Sequence, residues 1–459
     1  MKFVDLFSGI GGFHHALHDL GHECVFASDI DKNCNDVYSK NWPITPNGDL
    51  SKRYDLIPEH DVLCAGFPCQ PFSKSGSRLG LNRKVNGTRN SFAPRTTGTH
   101  FGVIRKILKE HNTPYVLLEN VLNLKTHDGG RTLDVIRGSL LELNYKVSVT
   151  DLSPHQFGIP HHRPRIFIVA IKREVLGDNL EFQFPKPQDT PTNVRDIRDV
   201  EHNESDITPA LHEVLDHWSD LMRSLPEGVK PPSPTWSMEF GRSYDLDEIH
   251  PVSEQSKARL CRELEKEGLF NANPRWDKKR ILRLFPPYIR KMKGRMPKWK
   301  RQFIRRNRKF WEDYEKSAPD GWLDITRNFS DTHQKFEWHV GSQGSKDVLD
   351  WMVHIRPSGI RVSRLDKIPA LVAMAQIPII GPWGRRITPR EAARAQSFGD
   401  DFQLHDNPGV AFKQLGNSVN VEIVRMVMEE IDRIAEASGF GVEHSNIQNP
   451  VEDFQFNNQ

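Results

Sequence analysis

Six short apolar runs, at residues 3–7, 24–27, 62–65, 115–118, 147–149 and 166–171, punctuate the first 171 residues of this chain. Runs of that length read as buried strands. The segment after the first has a different period: Phe13, Ala16, Leu17 and Leu20 fall on one helical face, and Gly21 supplies a helix stop. Strand, helix, strand in this rhythm predicts a doubly wound α/β sheet of the Rossmann-like kind.

From about residue 172 the rhythm dissolves. Proline and charge become frequent, as in Phe184-Pro185-Lys186-Pro187 and Lys230-Pro231-Pro232-Ser233-Pro234, and tryptophans and basic residues crowd the stretch up to about 385. Regular structure resumes at Thr388-Pro389-Arg390-Glu391, where a proline suits a first helical turn. The last helix carries Val424, Val427, Met428, Ile431 and Ile434 on one stripe and needs a partner surface. The expected division is therefore a catalytic and cofactor domain at 1–171, a smaller and mostly irregular recognition domain at 172–384, a returning segment at 385–440 and a frayed tail at 441–459.

Composition excludes some classes. No run of eighteen apolar residues offers a membrane span, and the N-terminus goes straight into a strand without the apolar stretch of a secretory signal. Five cysteines, none in CxxC spacing, argue against a disulfide framework or a zinc site, so no metal and a reducing cytoplasm are expected. Net charge is only +3, but fifteen Lys or Arg fall within 278–309, with Trp276, Phe285, Tyr288, Trp299 and Phe303 in or beside them. Such a run suits a phosphate backbone. A solvated basic face is the competing reading, and the interleaved aromatics imply packing.

Asp5-Leu6-Phe7-Ser8-Gly9-Ile10-Gly11-Gly12-Phe13 is a strand, a glycine turn and a helix start, which lets backbone approach a ligand. Asp29 and Asp31 follow the next strand, where an acidic side chain meets ribose hydroxyls, and Asp49 ends a third segment. The spacing indicates an adenosine-containing ligand and does not separate NAD from S-adenosylmethionine. Further on, Val62-Leu63-Cys64-Ala65-Gly66-Phe67-Pro68-Cys69-Gln70-Pro71 is a strand followed by a cysteine between prolines, which hold a thiol rigidly at the strand end. Cys64 reads as core, and Cys24, Cys34 and Cys261 as structural or incidental. Tyr115-Val116-Leu117-Leu118-Glu119-Asn120-Val121 delivers a carboxyl group at another strand end. Ligands of open α/β sheets sit outside strand carboxyl ends, so Cys69 and Glu119 are expected to converge.

The ordered series DLFSGIGGF, GFPCQPFS, LLENV, FGIPHHRPRIFIVA, RRITPREAARAQSF and QLGNSVNVEIV resembles the motif series of the cytosine-5 DNA methyltransferase family, in its prokaryotic restriction–modification form. The resemblance covers 1–171 and about 385–434. It implies that Cys69 is the nucleophile that adds to C6 of a flipped cytosine, and that Glu119 meets N3 and the exocyclic amine. Arg163 would orient Glu119 or the catalytic loop, and Arg165 would bond the base or a nearby phosphate. S-Adenosylmethionine would be the cofactor, held by Phe7, Gly9, Ile10, Gly11, Asp29, Ile30, Asp49, Leu50, Pro68 and Asn417. Double-stranded DNA is the implied partner, with a cognate endonuclease acting on the same site, and the expected enzyme is a monomer acting at the nucleoid, without membrane contact.

Four features depart from the family pattern. Asp29 replaces a Glu, Ile30 an aromatic and His161 a Gln, and the loop at 74–101 is long. Sequence choice is expected to reside in 172–384, where Arg356-Pro357-Ser358-Gly359-Ile360-Arg361 is a candidate element; two arginines on phosphates is the competing reading. The alternatives in function are a tRNA methyltransferase of the same fold, a catalytically idle DNA-binding homologue, and an NAD-dependent oxidoreductase, which leaves Pro-Cys-Gln unexplained.

Overall fold

The computed structural model describes residues 1–68, 100–188, 190–202, 205–247, 252–268, 276–371 and 376–440. Cys69, most of the 74–101 loop and the 441–459 tail lie outside them. Two compact units emerge. The first is Met1–Asp199, Asp366–Ala375 and Thr388–Gln459; the second is Val200–Leu365 and Gln376–Ile387.

All six apolar runs become strands of the first unit: β1 (Lys2–Leu6), β2 (Glu23–Ser28), β3 (Val62–Ala65), β4 (Tyr115–Val121), β5 (Tyr145–Leu152) and, after the two-residue β6 (His161–His162), β7 (Arg165–Lys172). Their order is β2-β1-β3-β4-β7-β5. The first four pair in parallel, so their carboxyl ends share one sheet edge. β7 enters antiparallel between β4 and β5. Its apolar run reads like any buried strand, and the reversal comes from the preceding connection, which holds no crossover helix of the length a parallel return needs.

The sheet is packed on both faces, and Val4, Leu6, Leu63, Val116, Leu118 and Ile166 have no exposed surface. The stripe foreseen on the last helix, Val421–Ser438, is buried throughout, and its partner is the helix Gly12–Asp19. Thr388 caps the helix Pro389–Ala395 in a reciprocal box with Glu391, with Pro389 in the first turn. The first unit also runs past residue 171. Backbone N–H groups of Gln183, Gln188 and Asp199 donate to Glu430, to the Gln156 carbonyl and to Glu391, which ties the 180–199 segment to this unit.

The second unit is more regular than its sequence suggests. Its strands are β8 (Thr235–Trp236), β9 (Lys335–Trp338), β10 (Met352–Arg356), β11 (Gly359–Ser363), β13 (Ile379–Ile380) and β14 (Arg385–Arg386), in the order β14-β13-β10-β11-β9-β8. β12 (Ile368–Pro369) belongs to the first unit, where it pairs with β6. Strands of two to five residues give too few alternations to register as a period, which explains the irregular expectation. The helix Pro209–Ser224 buries Trp218 against Phe336, their rings stacked with centroids 4.5 Å apart.

Candidate active site

Four strand ends meet along the parallel edge of the first sheet. β1 turns at Phe7, which adopts a left-handed φ of 56°, a conformation that a bulky residue holds only under constraint. The glycine turn follows. Gly9 N–H donates to Asp29 Oδ2 at 2.9 Å, and Asp31 N–H donates to Oδ1 at 2.8 Å, so Asp29 staples the turn to the end of β2. Helix capping falls instead to Asp31, at Lys32–Asn41, and to Asp49, at Leu50–Arg53. Burial raises the Asp29 carboxyl above its ordinary range, partly offset by those N–H donors. Ile10 and Leu50 are buried, whereas Ile30, next to Asp29, is 78% exposed.

Gly12 is required by packing. A Cβ there would come within 2.7 Å of Val419 Cγ2 and 2.8 Å of Ser418 Oγ. The segment after Asn417 is thus pressed onto the glycine turn, while Asn417 itself is the exposed last residue of the helix Pro408–Asn417.

β3 ends at Ala65, level with Leu118 of β4, so Gly66 and Glu119 are neighbours. A Cβ at Gly66 would lie 3.9 Å from Glu119 Oε2 and 3.6 Å from the Phe13 ring. Asn120 donates Nδ2 to the Phe67 carbonyl at 2.9 Å and fastens the stem that runs through Pro68 into Cys69. The role of Asn120 escaped the sequence reading; its place beside Glu119 in ENV was the available signal.

Glu119 is 8% exposed. Arg165 Nε lies 3.0 Å from its Oε1, yet the approach is off the hydrogen-bond direction, and Oε1 has no hydrogen-bond partner among the described residues. Burial pushes the Glu119 carboxyl up, and the charges of Arg165 and then Arg163 pull it only part of the way back. Arg165 pairs with Glu119, while Arg163, 2% exposed, donates Nη2 to the carbonyls of Gly416 and Ser418 at 2.9 and 2.6 Å. Arg163 is a strut for the Gly-Asn-Ser turn, and Gln396 joins it by donating to the carbonyls of Leu415 and Ser418. Burial, and then the Arg165 charge, push Arg163 down to about 9, which leaves it cationic at neutral pH. His161 is fully buried and donates Nδ1 to the Ala395 carbonyl at 3.1 Å; burial holds it neutral.

Three of the remaining cysteines are poor nucleophiles. Cys64 is buried in β3 as expected, and burial pushes the thiols of Cys24 and Cys34 up to about 12.

In the second unit, the 278–309 run is packed, as its aromatics implied. Phe285 and Phe303 are buried, and Lys300 lies over the Tyr288 ring at 4.3 Å. Arg301 and Arg305 pair with Asp247, and Arg308 with Glu239. Lys291, Lys293, Arg295 and Lys298 are exposed without an ion pair among the described residues, and Trp299 beside them is 65% exposed. No helix among the described residues is long and apolar enough to cross a membrane.

The family described as C-5 cytosine-specific DNA methylase matches residues 1–433. The type II methyltransferase M.AluI of Cellulosimicrobium cellulans is 31% identical over 505 residues, covering 94% of this chain and 91% of the relative. M.BanI of Aneurinibacillus aneurinilyticus is 30% identical over 441 residues, covering 94% and 95%. M.MspI of a Moraxella species reaches 44% identity over 208 residues, 45% of each chain.

Proposed function

The chain belongs to the C-5 cytosine-specific DNA methylase family, and from that premise we propose how its own residues perform the reaction. It is a DNA cytosine-5 methyltransferase, and its relatives are type II enzymes of restriction–modification systems. The observation that carries the mechanism is a buried carboxyl group, Glu119, whose Oε1 keeps unused hydrogen-bonding capacity next to the strand stem that leads into Cys69.

Cytosine C5 is a weak nucleophile. Addition of the Cys69 thiolate at C6 converts C5 into an enamine carbon able to attack an electrophilic methyl group. The target atom is hidden in a stacked duplex, so the base leaves the stack at a cost of roughly a few kcal/mol. Glu119, whose proton affinity burial raises, donates to N3 as negative charge develops on the ring. Arg165 holds that carboxyl in place, and Arg163 fixes the turn packed on the glycine loop. Loss of the C5 proton then expels Cys69.

S-Adenosylmethionine, the donor that methylation in this family implies, supplies the electrophilic methyl. The residues present fit it: Asp29 for ribose hydroxyls, exposed Ile30 for the adenine face, the Phe7–Gly11 turn for the amino-acid end, and Asp49, Leu50, Pro68 and Asn417 around it. In this reading the enzyme works as a cytoplasmic monomer on double-stranded DNA, bound through Lys291, Lys293, Arg295 and Lys298, and shields a site from an endonuclease that cuts the same sequence.

The test uses duplex DNA carrying 5-fluorocytosine with S-adenosylmethionine. A covalent adduct mapped to Cys69, absent in Cys69→Ser, is the expected result; an adduct on another residue, or none, refutes the mechanism.

A further inference from the structure

The polar face of the second sheet carries a cluster that methyl transfer does not use. On β9, β10 and β11, Phe336, Trp338, Val353, Ile360 and Val362 pack into the core of their unit. Alternation places Glu337, His354, Arg356 and Arg361 on the opposite face. Glu337 and Arg361 stand side by side in the register of β9 and β11. Arg361 donates Nε to Glu337 Oε2 at 2.9 Å, and its Nη2 lies 2.7 Å from the same oxygen. Arg356 Nη2 lies 2.9 Å from Oε1, and His339 Nε2 lies 3.2 Å from Oε2. The Glu337 side chain is 10% exposed, that of Arg361 39%.

This clamp engages one edge of the Arg361 guanidinium and leaves the other edge, Nη1 and the second N–H of Nη2, to solvent. A fixed two-donor fork matches a pair of neighbouring acceptors, as O6 and N7 of guanine are in the major groove. Phosphate would accept the same donors. Two points favour the base. An arginine whose charge is shared with a carboxylate is a poor source of counterion release, and the unit has lysines without an ion pair among the described residues for that. A guanidinium held on adjacent strands is also ordered in advance, which readout of one base edge needs and a phosphate contact does not.

We propose that Arg361 reads one guanine of the recognition sequence through O6 and N7, with Glu337 as its positioning residue; the proposal rests on the DNA methyltransferase reading above. Bisulfite sequencing of DNA from cells expressing the full chain first gives the methylated site. Duplexes are then made with each guanine of that site replaced singly by 7-deazaguanine, which lacks the N7 acceptor. The wild-type chain is expected to lose about tenfold in kcat/KM at one guanine. Arg361→Lys is expected to lose a similar factor on the unmodified duplex and almost nothing more from that replacement. Glu337→Gln keeps kcat at saturating DNA, raises KM, and methylates duplexes in which that base pair is changed. Binding of S-adenosylhomocysteine by both variants shows that they are folded.

Additive losses at every guanine overturn the proposal. So does an Arg361→Lys defect equal on all sequences, the behaviour of a phosphate contact. Absence of any 5-methylcytosine from the wild-type chain overturns the underlying reading instead.

Discussion

The two units each hold a glutamate between two arginines, and the two glutamates behave in opposite ways. Glu119, with Arg165 and Arg163, is displaced upward, because burial outweighs both positive charges. Glu337, with Arg361 and Arg356, is displaced downward: burial raises it there too, but the hydrogen bonds and charge of Arg361, with Arg356 and His339, outweigh it. Geometry reinforces the split. Arg165 approaches Glu119 without a hydrogen bond, whereas Arg361 grips Glu337 through Nε. The same three residue types thus raise a carboxyl group where the arginine approaches without a hydrogen bond and lower it where an arginine binds it through Nε.

The same substitution in both places gives the sharpest contrast. Glu119→Gln should cost kcat about 10²- to 10⁴-fold in single-turnover methyl transfer, with DNA binding kept; Glu337→Gln should leave kcat intact. Equal kcat losses would erase the distinction. Removing the buried strut comes next: Arg163→Met should lower unfolding stability by about 1–3 kcal/mol in urea titration, because the Gly416 carbonyl loses its side-chain donor. The part-exposed Arg361→Ala should cost about 1 kcal/mol or less in the same titration.

A pH profile separates the two acids by sign. The protonated form of Glu119 is depleted as pH rises through its elevated pKa, so kcat should fall on that limb, and Glu119→Gln should flatten it. Glu337 remains ionised above the ordinary carboxylate range, so site choice should not change with pH there; a profile for site choice that tracks kcat would contradict this. The smallest effect per residue is expected at the basic surface. Replacing Lys291, Lys293, Arg295 and Lys298 by Gln should reduce the slope of log K against log salt by about 0.9 for each phosphate that is no longer neutralised, with site preference unchanged.

The six strands of the first unit and the stripe of its last helix were legible because long periods of burial leave a period in the sequence. Glu119 and Asp29 were legible because strand ends announce where ligands sit. The pairing of Arg165 with Glu119, and of Arg163 with the Gly416–Ser418 turn, was not. Both lie in one short segment, and which guanidinium meets Glu119 depends on the antiparallel placement of β7 beside β4 and on carbonyls near residue 417. The Arg356–Arg361 hairpin was visible as an element, but nothing local linked it to Glu337.

The order of its motifs alone made this chain a cytosine-5 methyltransferase with a doubly wound catalytic sheet, since hydrophobic period and turn chemistry are local properties. Tertiary structure decided which charges are buried, which are paired, and hence in which direction each carboxyl group's proton affinity moves. Those outcomes depend on solvent exclusion by segments far apart in sequence, and no local pattern encodes that.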